Sequence, residues 1–310
     1  MKKYLILLLM LVLLLTGCAS RGEKPEEGLA VVCTVFPCYD FARAVVGDLG
    51  TVTMLISPGS EAHNYDPSPS DILKIRNCDL FVCIGGTSEA WAESILASLD
   101  ADVQVVRLMD SVETMETDHG DGTVLEEHEH HHDDTELDEH IWTSPRNAIC
   151  MLDALTDALC AVEAEHSDVL RANAQVYRAQ LESLDADFAA AVAAGVRNKV
   201  VFGDRFPFAY LAHTYGLECA AAFPGCSSAS EPSVSTVAAL VRTVQEEKIP
   251  VVFKLEMSNG HLADTLAEET GAQVLEFHSC HNVTAEEFAA EETYVSLMRK
   301  NLAALTVALQ

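Results

Sequence analysis

Six histidines share one acidic stretch of the chain: His119, His128, His130, His131, His132 and His140, set among aspartates and glutamates from Asp118 onward. Neutral imidazole is the commonest protein ligand for zinc-like ions, and carboxylates add charge attraction and oxygen donors. A run this polar cannot bury enough apolar surface to offset its ordering entropy. It is expected to form a surface loop, residues 117–139, whose His119, His128, His130, His131 and His132 gather metal weakly without fixing a geometry. His140 differs, because Ile141-Trp142 follows at once and supplies an apolar anchor. A second candidate, His63, sits in Ser57-Pro58-Gly59-Ser60-Glu61-Ala62-His63-Asn64-Tyr65-Asp66-Pro67, where glycine and prolines favour a rigid turn.

Such residues need elements to hold them. Leu29–Phe36, Thr51–Ile56, Leu80–Ile84 and Val103–Leu108 are short apolar, β-branched runs, read as strands. Helical segments near 38–46, 71–76 and 88–99 separate them, a βαβ rhythm that predicts a parallel sheet. His63 follows the second strand and His140 leaves the first lobe, so both fall near strand exits, where ligands bind in α/β folds. Ser144 opens a helix to about Val162. From Asp168 to Ala194, apolar residues recur every three or four positions as Leu170, Ala174, Tyr177, Leu181, Leu184 and Phe188. That helix would span roughly 40 Å at about 1.5 Å per residue. A second α/β pattern follows: strands 199–202, 217–223, 251–255 and 273–277, and helices 206–215, 234–247, 262–270 and 294–309. The expected fold class is α/β, two lobes each with a mainly parallel sheet and flanking helices, joined by one long rigid helix. The lobes are 29–163 and 198–310, with the linking helix in 164–197.

Ser-Pro-Gly-Ser-Glu-Ala-His-Asn-Tyr-Asp-Pro and Asp138-Glu139-His140-Ile141-Trp142-Thr143-Ser144-Pro145 resemble the first two metal-ligand motifs of the cluster A-I solute-binding proteins, the zinc- and manganese-binding lipoproteins of ABC transporters. The resemblance continues through Ser230-Glu231-Pro232-Ser233, Val252-Phe253-Lys254-Leu255-Glu256 and Ala267-Glu268-Glu269-Thr270-Gly271-Ala272, covering essentially the whole chain in order. It implies metal ligands at His63 and His140 from one lobe. The third family ligand falls at Arg205, which stays protonated and binds no cation. Asp204 beside it is the replacement candidate, with capping of a helix at Phe206 an equal alternative. The fourth falls near His278, with Cys280 and His281 as fallbacks. A closed four-coordinate site of this kind suits capture rather than catalysis. The implied cargo is Zn²⁺ in preference to Mn²⁺, imidazole favouring zinc. The implied role is extracytoplasmic high-affinity zinc binding and delivery to an ABC permease with its ATPase, not enzymatic work. The alternatives are a manganese- or iron-specific member, an adhesin or metal store on the same fold, or an exported zinc hydrolase. For the last, no Gly-x-Ser-x-Gly elbow occurs, and the His-Glu-x-x-His string His128–His132 falls in the polar run expected to be a loop rather than a helix.

The rest of the sequence agrees. Lys2 and Lys3 followed by an apolar run over residues 4–15 read as a signal peptide (residues 1–20), too short to span a bilayer comfortably. Leu15-Thr16-Gly17-Cys18 resembles the bacterial lipobox, which makes Cys18 the expected lipidation site. Residues 21–28 read as a polar tether, leaving a monomer anchored to the bacterial cell membrane by its N-terminal cysteine. With 19 Lys+Arg against 48 Asp+Glu, the formal charge is −29. That argues against nucleic acid as a partner and favours cations. Cys33, Cys38, Cys78 and Cys83 lie in apolar runs and read as small buried hydrophobes. Cys226 and Cys280 lie in loop-like segments where a bridge or metal contact is chemically open. His166, His213 and His261 show no partner pattern.

Overall fold

The computed structural model describes residues 28–61, 65–99, 102–117, 137–224 and 232–310. Cys18, His63, the histidines at 119–132, Cys226 and Glu231 lie outside the described residues.

The first lobe is built on the most apolar runs. β1 (Leu29–Cys33) and β3 (Leu80–Cys83) are almost wholly buried, as strands covered on both faces must be. β2 (Gly50–Met54) and β4 (Val105–Arg107) flank them in a parallel sheet of order β2-β1-β3-β4. The helices between them are α1 (Phe36–Val46), α2 (Pro69–Asn77) and α3 (Ala90–Ser98). Pro69 and the Ser68–Asp71 capping box fix the start of α2.

α4 (Pro145–Val162) and α5 (Ser167–Ala194) then run antiparallel along the molecule. The 28 residues of α5 span roughly 42 Å. Its buried stripe is the one the sequence period marks: Leu170, Ala174, Tyr177, Leu181, Leu184 and Phe188.

The second lobe repeats the first. β5 (Lys199–Phe206), β6 (Glu218–Pro224), β7 (Val251–Lys254) and β8 (Gln273–Glu276) form a parallel sheet of order β6-β5-β7-β8. α6 (Ala209–Tyr215), α7 (Val234–Glu246) and α8 (His261–Thr270) cross between them, followed by α9 (Ala285–Ala289) and α10 (Tyr294–Ala308). One departure from the sequence reading matters for the site. β5 runs on to Phe206, through a bulge between Phe202 and Arg205, and α6 begins only at Ala209. Asp204 is therefore a strand residue, and the helix-cap alternative falls.

One apolar core runs through both lobes and the long helix, including Phe41, Trp142, Tyr177, Phe188, Phe202, Phe277 and Tyr294. A polar knot pins the same junction. Asp40 on α1 accepts from Arg43 Nε at 2.7 Å, from the Tyr294 amide at 2.8 Å and from the Tyr177 hydroxyl. α1, α5 and α10 thus share one buried carboxylate. Among the described residues no helix is long and apolar enough to cross a membrane.

Candidate metal centre

In both sheets the chain reverses its winding at the carboxyl ends of the central strands, the usual ligand crevice of open α/β sheets. The two ends face a common cleft of about 670 Å³ between the lobes. His140, His281, Glu61, Asp204 and Arg205 are among its walls.

His140 is the most firmly built of these. The segment before it is tied down by a bridge between Glu116 and Leu137, and by the Asp138 amide donating to Met115 O at 2.8 Å. Tyr210 on α6 donates its hydroxyl to Asp138 O at 2.7 Å. Asp138 Oδ1 in turn lies 2.8 Å from the His140 amide and 2.9 Å from His140 Nδ1. A carboxylate at Nδ1 places the ring proton there, so the lone pair is on Nε2. The ring is 2% exposed.

Trp142 carries that order across to the other lobe. Its ring centroid lies 5.5 Å from His140 and 4.9 Å from His281, and its Nε1 donates to Ser279 O at 2.8 Å. The His140 and His281 rings stand 5.7 Å apart, nearly perpendicular. His281 belongs to the turn after β8, which is clasped by the first lobe. Phe36 N donates to His281 O at 3.2 Å and Gly59 N to Val283 O at 2.7 Å. Asn282 Nδ2 donates to Ser57 O at 2.8 Å and Ser60 O at 2.9 Å. Glu256 braces the turn from behind, its Oε2 accepting from Ser279 N at 2.7 Å.

The family alignment point at His278 needs correction. His278 is buried behind the cleft and does not line it. Its Nδ1 accepts from Cys280 N at 2.9 Å, and its main chain bonds both ways with Asn301 at 2.7 Å. Nε2 faces Glu287 Oε1 at 3.5 Å. The reason is local: Cys280 is in the left-handed region at φ +58°, which turns the chain so that His281, one of the fallbacks, reaches the cleft. Cys280 itself is fully buried and is not among the residues lining the cleft; burial raises its thiol pKa. The described cysteines Cys33, Cys38, Cys78, Cys83, Cys150, Cys160, Cys219 and Cys280 are free thiols.

The bulge in β5 brings Asp204 and Arg205 to the second lobe's rim. Gly203 before them has α8 pressed on it; a Cβ there would lie 2.6 Å from Ala263 Cα. Asp204 Oδ2 accepts from Leu255 N at 3.2 Å and Oδ1 from Arg205 N at 2.9 Å. Each oxygen keeps a further lone pair. Arg205 Nη1 lies 3.9 Å from Glu61 Oε2 across the mouth of the cleft.

Sequence reasoning missed three contributors. Asp138 was visible only as an acid two residues ahead of His140. Glu61 sat unremarked in the His63 motif. Glu89 had no signal beyond its place at the start of α3. It is buried in the first lobe behind the two histidines, lining a small cavity with His140, Trp142 and His281. Its Oε2 accepts from Gly85 N at 2.8 Å, while Oε1 has no hydrogen-bond partner among the described residues. Burial pushes its pKa up to about 7, with the charge of Glu139 adding to the rise. Glu139 is itself held by Thr87 Oγ1 at 2.9 Å and Ser88 N at 2.8 Å. Gly86 makes room for it, since a Cβ at φ +99° would lie 2.5 Å from Glu139 Oε1.

Among the described residues no three His, Cys, Asp or Glu side chains converge closely enough to hold a metal ion. The described part of the centre is two cross-lobe imidazoles, with Asp204 and Glu61 on the same cleft.

Comparison with known proteins gives a consistent set. The family model described as zinc-uptake complex component A, periplasmic, matches residues 31–308. The chain is 33% identical over 312 residues to the zinc-binding lipoprotein AdcA of Streptococcus pneumoniae, covering 98% of this chain and 60% of AdcA. It thus spans about 60% of the length of that curated relative. It is also 30% identical over 302 residues to the high-affinity zinc uptake system protein ZnuA of Bacillus subtilis, covering 94% of this chain and 93% of ZnuA. The crystal structure of the Zn(II)-bound ZnuA-like domain of S. pneumoniae AdcA superposes with a TM-score of 0.74 at 31% identity, over 91% of this chain and 99% of that domain.

Proposed function

Because this chain belongs to the zinc-uptake complex component A family, we propose that it captures Zn²⁺ outside the cytoplasm with high affinity and hands it to an ABC permease and its ATPase. The observation that carries the reading is the pair His140–His281. Two imidazoles from different lobes stand 5.7 Å apart in one cleft, set by a shared tryptophan and a buried aspartate. His63 joins them as a ligand on the strength of its motif, and Asp204 as the oxygen donor of the second lobe. Imidazole-rich donors favour Zn²⁺ over Mn²⁺, and the names of the relatives support the same cargo.

The chemistry asked of these residues is binding and release. Ligation needs deprotonated imidazole, which the Asp138 contact prepares by fixing the tautomer. The acidic body, at −29 overall, raises the local concentration of cations. The segment 117–139, which holds His119, His128, His130, His131 and His132, serves as a low-affinity collector. Cys18 carries the lipid that holds the monomer at the membrane.

A competition titration of the metal-stripped chain with Zn²⁺ against a chromophoric chelator tests this. One tight equivalent is expected, outcompeting Mn²⁺, and retained when residues 118–134 are deleted. Several weak equivalents with no tight one would overturn the reading, as would loss of the tight equivalent on that deletion.

A further inference from the structure

After β8 the chain runs through His278-Ser279-Cys280-His281 outside any strand or helix. Cys280 sits at φ +58°, a region that is costly for a residue with a Cβ. Such a conformation persists only where its surroundings hold it. Here side chains do the holding, one for each of three successive amides. Ser279 N donates to Glu256 Oε2 at 2.7 Å, Cys280 N to His278 Nδ1 at 2.9 Å, and His281 N to Ser279 Oγ at 3.2 Å. The Ser279 hydroxyl donates in turn to Glu256 Oε1. Asn301 on α10 clasps the His278 main chain, accepting from its amide and donating to its carbonyl.

The contact at Cys280 dictates the state of the imidazole. An amide can only donate, so Nδ1 presents a lone pair and the ring proton stands on Nε2. Nε2 faces Glu287 Oε1 at 3.5 Å, and that carboxylate is fixed by Thr284, whose amide and hydroxyl both donate to Oε2 at 2.8 Å. Carboxylate, imidazole and amide thus stand in line, ending on the residue in the left-handed region. His278 is 3% exposed and Cys280 is fully buried, so the amide has no solvent to fall back on if the ring is lost. In form this is an Asx turn built with imidazole: an acceptor at the δ position takes the N–H two residues on. The same turn carries the His281 ring into the cleft, 5.7 Å from His140, while His278 stays out of it.

We propose that His278 is the positioning residue for His281: held as its Nε2–H tautomer, it accepts the Cys280 amide and fixes the turn that aims His281 at the cargo, without touching the metal. The proposal rests on the zinc-binding reading, with His281 as a ligand, and deepens it by giving a role to a buried histidine that the cleft does not use.

The test compares His278→Leu, which fills the site but offers no acceptor, with His278→Asn, whose Oδ1 stands where Nδ1 does. In chelator competition with the full chain, His278→Leu should bind Zn²⁺ at least about tenfold more weakly than the parent, and His278→Asn should recover affinity to within about threefold. X-ray absorption at the zinc edge then counts the imidazoles on the metal. The Leu variant should lose one, as His281 disengages, and the Asn variant should keep the parental number. Loss of one imidazole in both variants would make His278 itself a ligand and overturn the proposal. Parental affinity and imidazole number in both would overturn it too, since the turn would then hold without the acceptor. Should His278→Leu not fold, His278→Asn decides alone by the same count. A parent chain that binds no zinc in any buffer would instead overturn the reading beneath.

Discussion

The two lobes share a strand order, β2-β1-β3-β4 and β6-β5-β7-β8, yet present different chemistry at the ends of their sheets. The first lobe offers a histidine that is 2% exposed, braced by Asp138 and backed by Trp142. The second offers Asp204 and Arg205 on a bulged strand at an open rim, and the histidine it does contribute, His281, is held largely by the first lobe's backbone. Identical topology has been put to two uses, fixed geometry on one side and adjustable charge on the other. Fold alone would not have shown this, since function resides in the groups grafted on it.

If the fixed side carries the affinity, His140→Ala should weaken Zn²⁺ binding the most, by on the order of a thousandfold, about 4 kcal/mol. A chelator competition titration measures it, and an effect below tenfold would erase the distinction between the lobes. Next comes the strain buried behind the fixed side. The folded-state pKa of Glu89 lies near 7 against an ordinary 4.5, so between those values the folded chain holds the extra proton and stability falls as pH rises. Above pH 7 the accumulated cost is on the order of 3 kcal/mol, before any relaxation around the pair with Glu139. Glu89→Gln should therefore raise the melting temperature of the metal-free chain at pH 8, with little change at pH 4.5. An equal shift at both pH values would show that Glu89 is not the group responsible. The smallest effect sharpens the contrast from within the first lobe. Asp138→Asn leaves the ring in place but weakens its orientation, and should cost roughly 10- to 100-fold in zinc affinity, read by the same titration. The same change at Asp204 should cost less.

How far the sequence foretold this depends on how local each feature is. Sheet strands such as Leu29–Cys33 and Leu80–Cys83 were legible because burial on both faces demands unbroken apolar runs. The long helix was legible because its core stripe repeats every three or four residues. The sequence reading ends β5 at Phe202 and starts a helix at Phe206, whereas the strand runs on; only the close approach of Ala263 shows why glycine sits inside it. His278 was favoured over His281 because a three-residue difference is invisible until Cys280 is seen in the left-handed region. Glu89 is shifted mainly by burial and to a lesser degree by Glu139, fifty residues further along the chain, and no local pattern encodes either. His140 was the easiest to name, since its anchor Trp142 is its neighbour but one.

The turn carrying His281 has an energetic consequence. Its carbonyls and side chains are stitched to Phe36, Ser57, Gly59, Ser60 and Trp142, while the lobes behind it share a core and the Asp40 knot. Displacing the short ribbon at residues 279–283 would therefore cost only those hydrogen bonds, whereas parting the two halves would also break the shared core.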